Sequence, residues 1–187
     1  DDASLQSDLM ITSARSYAGN YNQLVQFTFK HLCSAVNVKV GTIPQGSIKA
    51  ITFKNIYNKG TYTIANDAWS VNNASKDNFS VDFVGAQNEY PTYGTETGNP
   101  QINDASATFM MIPQTLPDDA EIEITFLHSN TGKEETLKAS LKGTSWVMGQ
   151  TNNYLISITP DYILDFTTEQ VDMQDAHYVM VPLTIKA

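Results

Sequence analysis

Hydrophobic and polar residues alternate one by one along most of this chain. Successive side chains of an extended strand point to opposite faces, so a period of two indicates a strand with one buried and one solvated face. No stretch of ten or more residues shows helical periodicity. The pattern therefore predicts an all-β protein with antiparallel sheets. The alternating segments are Val25–Phe29, Val36–Val40, Ile122–Phe126, Tyr154–Ile158 and Val179–Ile185.

Turn sequences separate the strand-like segments. Gly, Asn and Pro supply the backbone geometry that turns need, and strands recurring at this spacing favour an antiparallel β-sandwich over βαβ units. Two stretches without periodicity, Asn72–Asn78 and Gly85–Asp104, are predicted to be long loops. The predicted turns are Thr42–Gly46, Asn58–Gly60, Asn130–Gly132 and Lys142–Gly143.

The pattern changes after Pro160. Residues 1–160 are predicted to form one β-sandwich domain. Residues 161–187 are predicted to be a C-terminal extension with two strand patterns around an acidic middle. This extension is either a strand pair that packs on the domain or the start of a truncated second domain.

The charge balance argues against a nucleic-acid partner. Phosphate backbones are bound by clustered Lys and Arg, whereas here eleven basic residues are scattered among twenty acidic ones and the net charge is −9. Arg15 is the only arginine. No apolar run approaches the roughly 20 residues that cross a bilayer. The opening stretch DDASLQSDL resembles a mature N-terminus after signal removal, or a trimmed chain.

Cys33, the only cysteine, follows His31 by two residues, so both side chains could share one face of a strand. A nucleophilic cysteine needs an electropositive, partly exposed setting, but Cys33 lies in the apolar run between Leu32 and Ala35. It is therefore interpreted as a small core residue. The chain is expected to kink at Leu32–Ala35, where the apolar phase changes. Phe27, Phe29 and the three valines of 36–40 are expected to form an inner face.

No catalytic, metal or cofactor site is predicted, and the chain is not expected to be an enzyme. The acidic patch at 118–123 is interpreted as a solvated face, since Glu121 and Glu123 alternate with apolar residues of a strand. The three histidines lack any ligand spacing that is typical of metal sites. They are His31, His128 and His177.

Aromatic residues supply the one candidate ligand site. Tyr90 and Tyr93 of loop 85–104, together with Trp69, could stack on sugar rings. For Trp69 and Trp146 the alternative is packing at a sheet edge or in the core. The corresponding hypothesis is a glycan-binding outer-membrane lipoprotein that uses loop 85–104.

Three motifs follow one another along the chain. The first is Phe29, His31, Ser34 and Val36; the second is Ile112-Pro-Gln114 with Leu116; the third is Gly143, Trp146, Gly149, Tyr154 and Ile156. In this order they resemble the fimbrillin-like (Mfa-like) family of Bacteroidales cell-surface proteins. The resemblance covers roughly residues 8–160.

The resemblance implies a transthyretin-like β-sandwich that is exported as a lipoprotein. It implies a non-catalytic role as a pilus (fimbrial) subunit, a tip or anchor component, or a surface adhesin. The expected location is the outer-membrane-anchored cell surface or a fimbrium, with the lipidated cysteine upstream of this chain. The expected partners are other pilus subunits, joined by strand addition, or a receptor or glycan on a host or bacterial surface.

Arg15 is a candidate processing site. Related pilins are matured by an Arg-directed protease that removes a first strand, and Arg15 follows the strand-like DLMITSA. Cleavage there would free residues 1–15 and open a sheet edge to an incoming strand. The alternative is an ordinary surface arginine in a loop.

Overall fold

The computed structural model describes residues 5–12, 27–83, 90–95, 101–102, 108–159 and 162–173. Within these ranges the chain forms strands and turns without an α-helix, so none of the described residues forms a helix that could cross a membrane. The strands are β1 (Met10–Thr12), β2 (Phe29–His31), β3 (Ser34–Val40), β4 (Thr42–Tyr57), β5 (Gly60–Thr63), β6 (Ala68–Val71), β7 (Lys76–Asp82), β8 (Tyr90–Thr95), β9 (Phe109–Met111), β10 (Gln114–Thr115), β11 (Glu121–His128), β12 (Glu134–Ser140), β13 (Ser145–Trp146), β14 (Gln150–Ile158) and β15 (Leu164–Asp172).

Two larger sheets form the body. One has the order β12-β11-β4-β7, with β8 beside the N-terminal part of β4, and the other has the order β15-β14-β3-β9. Only β3 and β14 pair in parallel among the described strands. Three small two-stranded sheets complete the fold: β1-β2, β5-β6 and β10-β13.

The core lies between these two sheets, as the alternating pattern predicts. Phe53 of β4 extends across the interface, with its ring centroid 5.0 Å from that of Phe109 and 5.6 Å from that of Tyr154 in the other sheet. The alternating valines of β3 and isoleucines of β11 are fully buried in the same cluster. The predicted all-β, antiparallel sandwich is therefore confirmed, whereas its transthyretin-like detail stays a prediction.

The predicted kink at Leu32–Ala35 is confirmed, because β2 ends at His31 and β3 begins at Ser34. The inner face predicted for this region is only half right. Phe27 and Phe29 are half-buried, stack on each other at 6.4 Å and lie outside the core cluster. The reason is that β2 leaves the sheet of β3 and pairs with β1 instead.

The turn predicted at Thr42–Gly46 is wrong, since these residues open the long strand β4. Its pairing with β8 shifts register between Ile43 and Gly46, so the Pro and Gly mark a bulge. Gly46 is needed for space, because a Cβ there would lie 2.3 Å from the carbonyl oxygen of Leu127.

The two predicted loops are shorter than expected. In the first, a tight turn ends at Ser75 and β7 begins at Lys76. In the second, Tyr90–Thr95 forms β8 against β4, although Pro91 and Gly94 hide any alternation. Beyond β8, only residues 101–102 of that stretch are described.

After Pro160, the strand β15 pairs along its whole length with β14 and becomes an edge of the second sheet. Leu164 is buried and the ring of Phe166 lies 5.4 Å from that of Tyr154. The domain boundary at 160 stays a prediction. The strand predicted at Val179–Ile185 lies outside the described residues.

Candidate functional site

A short N-terminal segment, residues 5–12, lies across the junction between β2 and β3. Its strand β1 pairs with β2 through only three residues, Met10–Thr12. The backbone N–H of Leu32 donates to the carbonyl of Leu9 at 2.8 Å, and the N–H of Met110 donates to the side-chain oxygen of Gln6 at 2.9 Å. Segment 5–12 thus satisfies backbone donors on β9 and at the β2–β3 junction.

One ionisable pair joins segment 5–12 to β2. The Nδ1 atom of His31 lies 2.5 Å from the Oδ2 atom of Asp8. The other oxygen of Asp8 is buried and accepts no hydrogen bond from the described residues. The apolar side chains of Leu5, Leu9 and Met10 remain largely exposed. This segment therefore contributes hydrogen bonds to the body but little hydrophobic burial.

Cys33 is buried beneath segment 5–12. Burial raises the pKa of its thiol, the Asp8 carboxylate adds to this rise, and a hydrogen bond from the backbone of Leu9 opposes it. A cysteine nucleophile needs a lowered pKa, so this environment favours the unreactive thiol. His31 is paired with Asp8. The interpretation of Cys33 as a small buried residue agrees with these contacts.

The first and third motifs meet at the start of β3 and β14. The amide of Asn152 donates to the Ser34 hydroxyl at 2.7 Å, and that hydroxyl donates to the carbonyl of Gln150 at 3.2 Å. The N–H of Gly149 donates to the carbonyl of Cys33 at 2.9 Å. Gly149 has a φ of +72°, which glycine adopts without strain. These bonds set the start of the parallel β3–β14 pair.

The second and third motifs meet beside the core. Gln114 pairs through its backbone with Trp146, and its side chain bonds both backbone groups of Tyr57, accepting from the N–H at 3.1 Å and donating to the carbonyl at 3.0 Å. The indole N–H of Trp146 donates to the Tyr154 hydroxyl at 2.9 Å. Burial raises the pKa of Tyr154 to about 12. Trp146 is fully buried and therefore belongs to the core.

Trp69 belongs to the β5–β6 hairpin. Its indole N–H donates to the carbonyl of Leu32 at 2.7 Å, and its ring lies 5.7 Å from that of Tyr62 on the opposite strand. The backbone of Leu32 is thus bound by Trp69 on one side and by Leu9 of segment 5–12 on the other. The partly buried Trp69 ties the hairpin to the same junction.

The structure does not bring Trp69 together with the two tyrosines of the predicted ligand loop. Tyr90 and Tyr93 lie on β8, which pairs with residues 42–48, whereas the hairpin of Trp69 follows Tyr57 at the other end of β4. The nine residue-to-residue steps of strand from 48 to 57 span about 30 Å. The ligand role of these residues stays a prediction, and Arg15 lies outside the described residues.

The predicted acidic face is neutralised by lysines. Lys54 Nζ lies 3.1 Å from Oε1 of Glu123, and Lys138 pairs with the same carboxylate. Burial acts to raise the pKa of Glu123, but the two lysines outweigh it and leave the pKa lowered. Across the described part of the chain, no three His, Cys, Asp or Glu side chains are placed to hold a metal ion.

Sequence reasoning missed three residues at the junction, Gln6, Asp8 and Leu9. The only sequence feature that could have pointed to them is their position just before the short apolar stretch that forms β1. The spacing of apolar residues indicates which side chains are buried. It does not indicate which distant backbone group a polar side chain will bond. Gln6 reaches Met110, more than a hundred positions away in the chain.

The comparison with protein families shows which family this chain belongs to. The family model described as fimbrillin-like matches residues 1–172. The chain belongs to the fimbrillin-like family. This confirms the resemblance carried by the three motifs, and the match extends past residue 160 to the end of β15.

One solved structure shares the fold. A candidate cell adhesion protein from Bacteroides ovatus ATCC 8483 aligns with a TM-score of 0.50 at 14% identity, over 78% of this fimbrillin-like chain and 47% of the other. A second, from Bacteroides uniformis ATCC 8492, aligns with a TM-score of 0.45 at 14% identity, over 79% and 53%. This chain therefore spans about half the length of these two structures. No curated protein matches it.

Proposed function

We propose that this fimbrillin-like chain is a non-catalytic structural component of a cell-surface fimbria or adhesin, joined to its neighbours by strand addition. Its family and its likeness to candidate adhesion proteins support a surface role. The chain works as a pilus subunit, a tip or anchor component, or an adhesin. It is held at the outer membrane through a lipid anchor upstream of residue 1.

The observation that carries this proposal is the weak attachment of segment 5–12. It is held by three paired residues of β1, two hydrogen bonds to backbone N–H groups, two weak hydrogen bonds to the sulfur atoms of Cys33 and Met111, and the Asp8–His31 pair. Leu5, Leu9 and Met10 are exposed and Ile11 is only partly buried, so little hydrophobic free energy opposes removal of the segment.

Loss of the segment would leave strong hydrogen-bonding groups without partners. These are the paired edge of β2 and the backbone N–H groups of Leu32 and Met110. An unpaired strand edge accepts an extended strand from another chain, main chain to main chain. Cleavage at Arg15, three positions after the last residue of β1, would permit this exchange.

Arg15 makes the test unusually direct, because an Arg-specific protease has a single site in this sequence. The native N-terminus of the surface protein is read by mass spectrometry, and the purified chain is treated with the protease. We expect a native chain that begins after residue 15, and SDS-resistant ladders once the protease has acted. Arg15→Lys is the matched control, since it keeps the charge but resists cleavage and should remain monomeric.

Two results would contradict the proposal. One is a mature protein whose N-terminus lies before residue 15. The other is a cleaved chain that stays monomeric at every concentration tested. Because Cys33 is buried beneath segment 5–12, alkylation of this single thiol reports independently whether the segment has left.

A further inference from the structure

A cleft of about 610 Å³ lies away from segment 5–12, between the end of β4, the start of β7 and the chain around β10. Its size falls within the range of sites that bind small molecules. Tyr57, Val71, Leu116 and Pro117 supply its apolar lining. The second sequence motif, at 112–116, thus forms one wall.

The walls of the cleft are held in place by hydrogen bonds that need no ligand. Gln114 is buried and bonds both backbone groups of Tyr57 and the carbonyl of Ile112. The N–H of Leu116 donates to the carbonyl of Thr144 at 2.8 Å. The cleft is therefore preformed, which lowers the ordering cost of binding.

The charged groups of the cleft cancel in pairs. Lys76 Nζ lies 2.5 Å from Oδ1 of Asp119 and 5.5 Å from the ring centroid of Tyr57. Asp118, which also lines the cleft, pairs with Lys142 at 3.1 Å. The cleft thus presents no unpaired charge to attract an ion, and the net charge of −9 disfavours anionic ligands in general.

The exposed uncharged polar side chains of the lining are Asn73 and Thr115. A lining with apolar and polar surface in similar shares, one aromatic ring and no unpaired charge suits a neutral ligand with both C–H faces and O–H groups. We infer that this cleft binds a neutral saccharide. This goes beyond the proposed structural role and places a ligand site away from the sheet edge that strand addition would use.

The test uses the full 187-residue chain on an array carrying neutral, sialylated and sulfated oligosaccharides and unrelated peptides. We expect binding to neutral oligosaccharides, whose affinity is then measured by calorimetry with the best neutral probe. Thr115→Trp fills the cleft and Tyr57→Ala removes its ring, so each should weaken binding about tenfold or more. Tyr57→Phe should bind as the parent does.

Thr136→Trp is the matched control, because Thr136 is also an exposed strand threonine but lies on β12, outside the cleft. It should bind normally, and thermal unfolding checks that each variant is folded. The inference is overturned by an absence of binding to neutral probes, by preference for charged probes or peptides, or by full binding in Thr115→Trp. Loss of binding in a Tyr90→Ala/Tyr93→Ala variant with normal binding in both cleft variants would also overturn it and would favour loop 85–104.

These outcomes are separate from the test of strand addition. Saccharide binding is measured on the uncleaved chain, and Thr115→Trp is expected to form the same ladders as the parent after cleavage at Arg15. Failure of one proposal therefore leaves the other unchanged.

Discussion

At the scale of single residues, Gly46 shows a close approach between strands that side-chain pattern conceals. A Cβ at this position would lie 2.3 Å from the Leu127 carbonyl oxygen and 2.4 Å from the Phe126 ring. Sequence reasoning assigned this glycine to a turn, because turns are where glycine most often occurs. Its role is instead to let β4 approach β11.

We expect Gly46→Ala to lower the free energy of unfolding by about 3 kcal/mol, since both the backbone of Leu127 and a core ring would have to move. Urea denaturation measures the loss. Gly132→Asn is the control, because nothing lies near a Cβ there and asparagine tolerates the φ of +64°. A Gly46→Ala variant as stable as the parent would show that this packing is not tight.

Tyr154 makes the stability of the protein sensitive to alkaline pH. Its pKa is raised by burial from an ordinary 10.0 to about 12, so the folded state holds the phenol proton more tightly than the unfolded state. This stabilisation is fully present below pH 10 and is lost as pH rises through 12. A rise of two units in this pKa corresponds to about 3 kcal/mol of folding free energy.

The pH effect is measured as the difference in unfolding free energy between pH 9 and pH 11.5. We expect a steeper fall for the parent than for Tyr154→Phe, which has no phenol to ionise. The variant should also be less stable at neutral pH, because the indole N–H of Trp146 loses its acceptor. Equal slopes in the two proteins would contradict the assignment.

At the scale of elements, segment 5–12 is attached to the body mainly by hydrogen bonds, and its side chains Leu5, Leu9 and Met10 are exposed. DLMITSA is strand-like in sequence, and β1 forms within it. That β1 would pair with β2, and that Asp8 would bond His31, depends on where the chain bends at Leu32. No local pattern contains that information.

We expect Asp8→Asn and His31→Gln to loosen segment 5–12 and speed alkylation of Cys33 several-fold at neutral pH, because the Asp8–His31 contact is weakened above the buried thiol. The rate of reaction with a maleimide measures the change, and a single cysteine makes the signal specific. Asp119→Asn breaks a comparable ion pair at Lys76, distant in the fold, and should leave the rate unchanged. Parent-like rates in both variants would show that the pair does not hold the segment.

At the scale of the whole molecule, β15 raises the question of where the domain ends. It adds nine paired residues to β14 and brings Leu164 and Phe166 against the core. The sequence suggested a boundary at 160 because the apolar alternation weakens there. Most of β15 is polar and exposed, as befits an edge strand, so its pattern does not reveal that it belongs to the sheet.

The contribution of β15 is tested by comparing a chain that ends at residue 160 with one that ends at residue 173. A chain ending at residue 160 should be markedly less stable, because β14 becomes an unpaired edge and the core loses Leu164. Thermal unfolding by circular dichroism compares the two. If both chains unfold at the same temperature, β15 does not contribute to the stability of the domain.

The alternation of apolar and polar residues specifies which face of each regular strand is buried, because the side chains of a strand repeat with a period of two. The family is also recognisable from the sequence, because the three motifs and their order can be matched without knowing which contacts their residues make. Ser34, Gln114 and Trp146 belong to these motifs, and each makes a side-chain hydrogen bond within the fold.

Which strands are neighbours is seen only in the fold. The parallel pairing of β3 with β14 joins Ala35 to Thr151, and the cleft joins the end of β4 to the chain around β10. Such pairs are made by backbone groups that every residue carries, so side-chain pattern cannot specify the partner. The surface to which segment 5–12 binds and the cleft are both formed by these long-range pairings. For that reason neither could be predicted from the sequence.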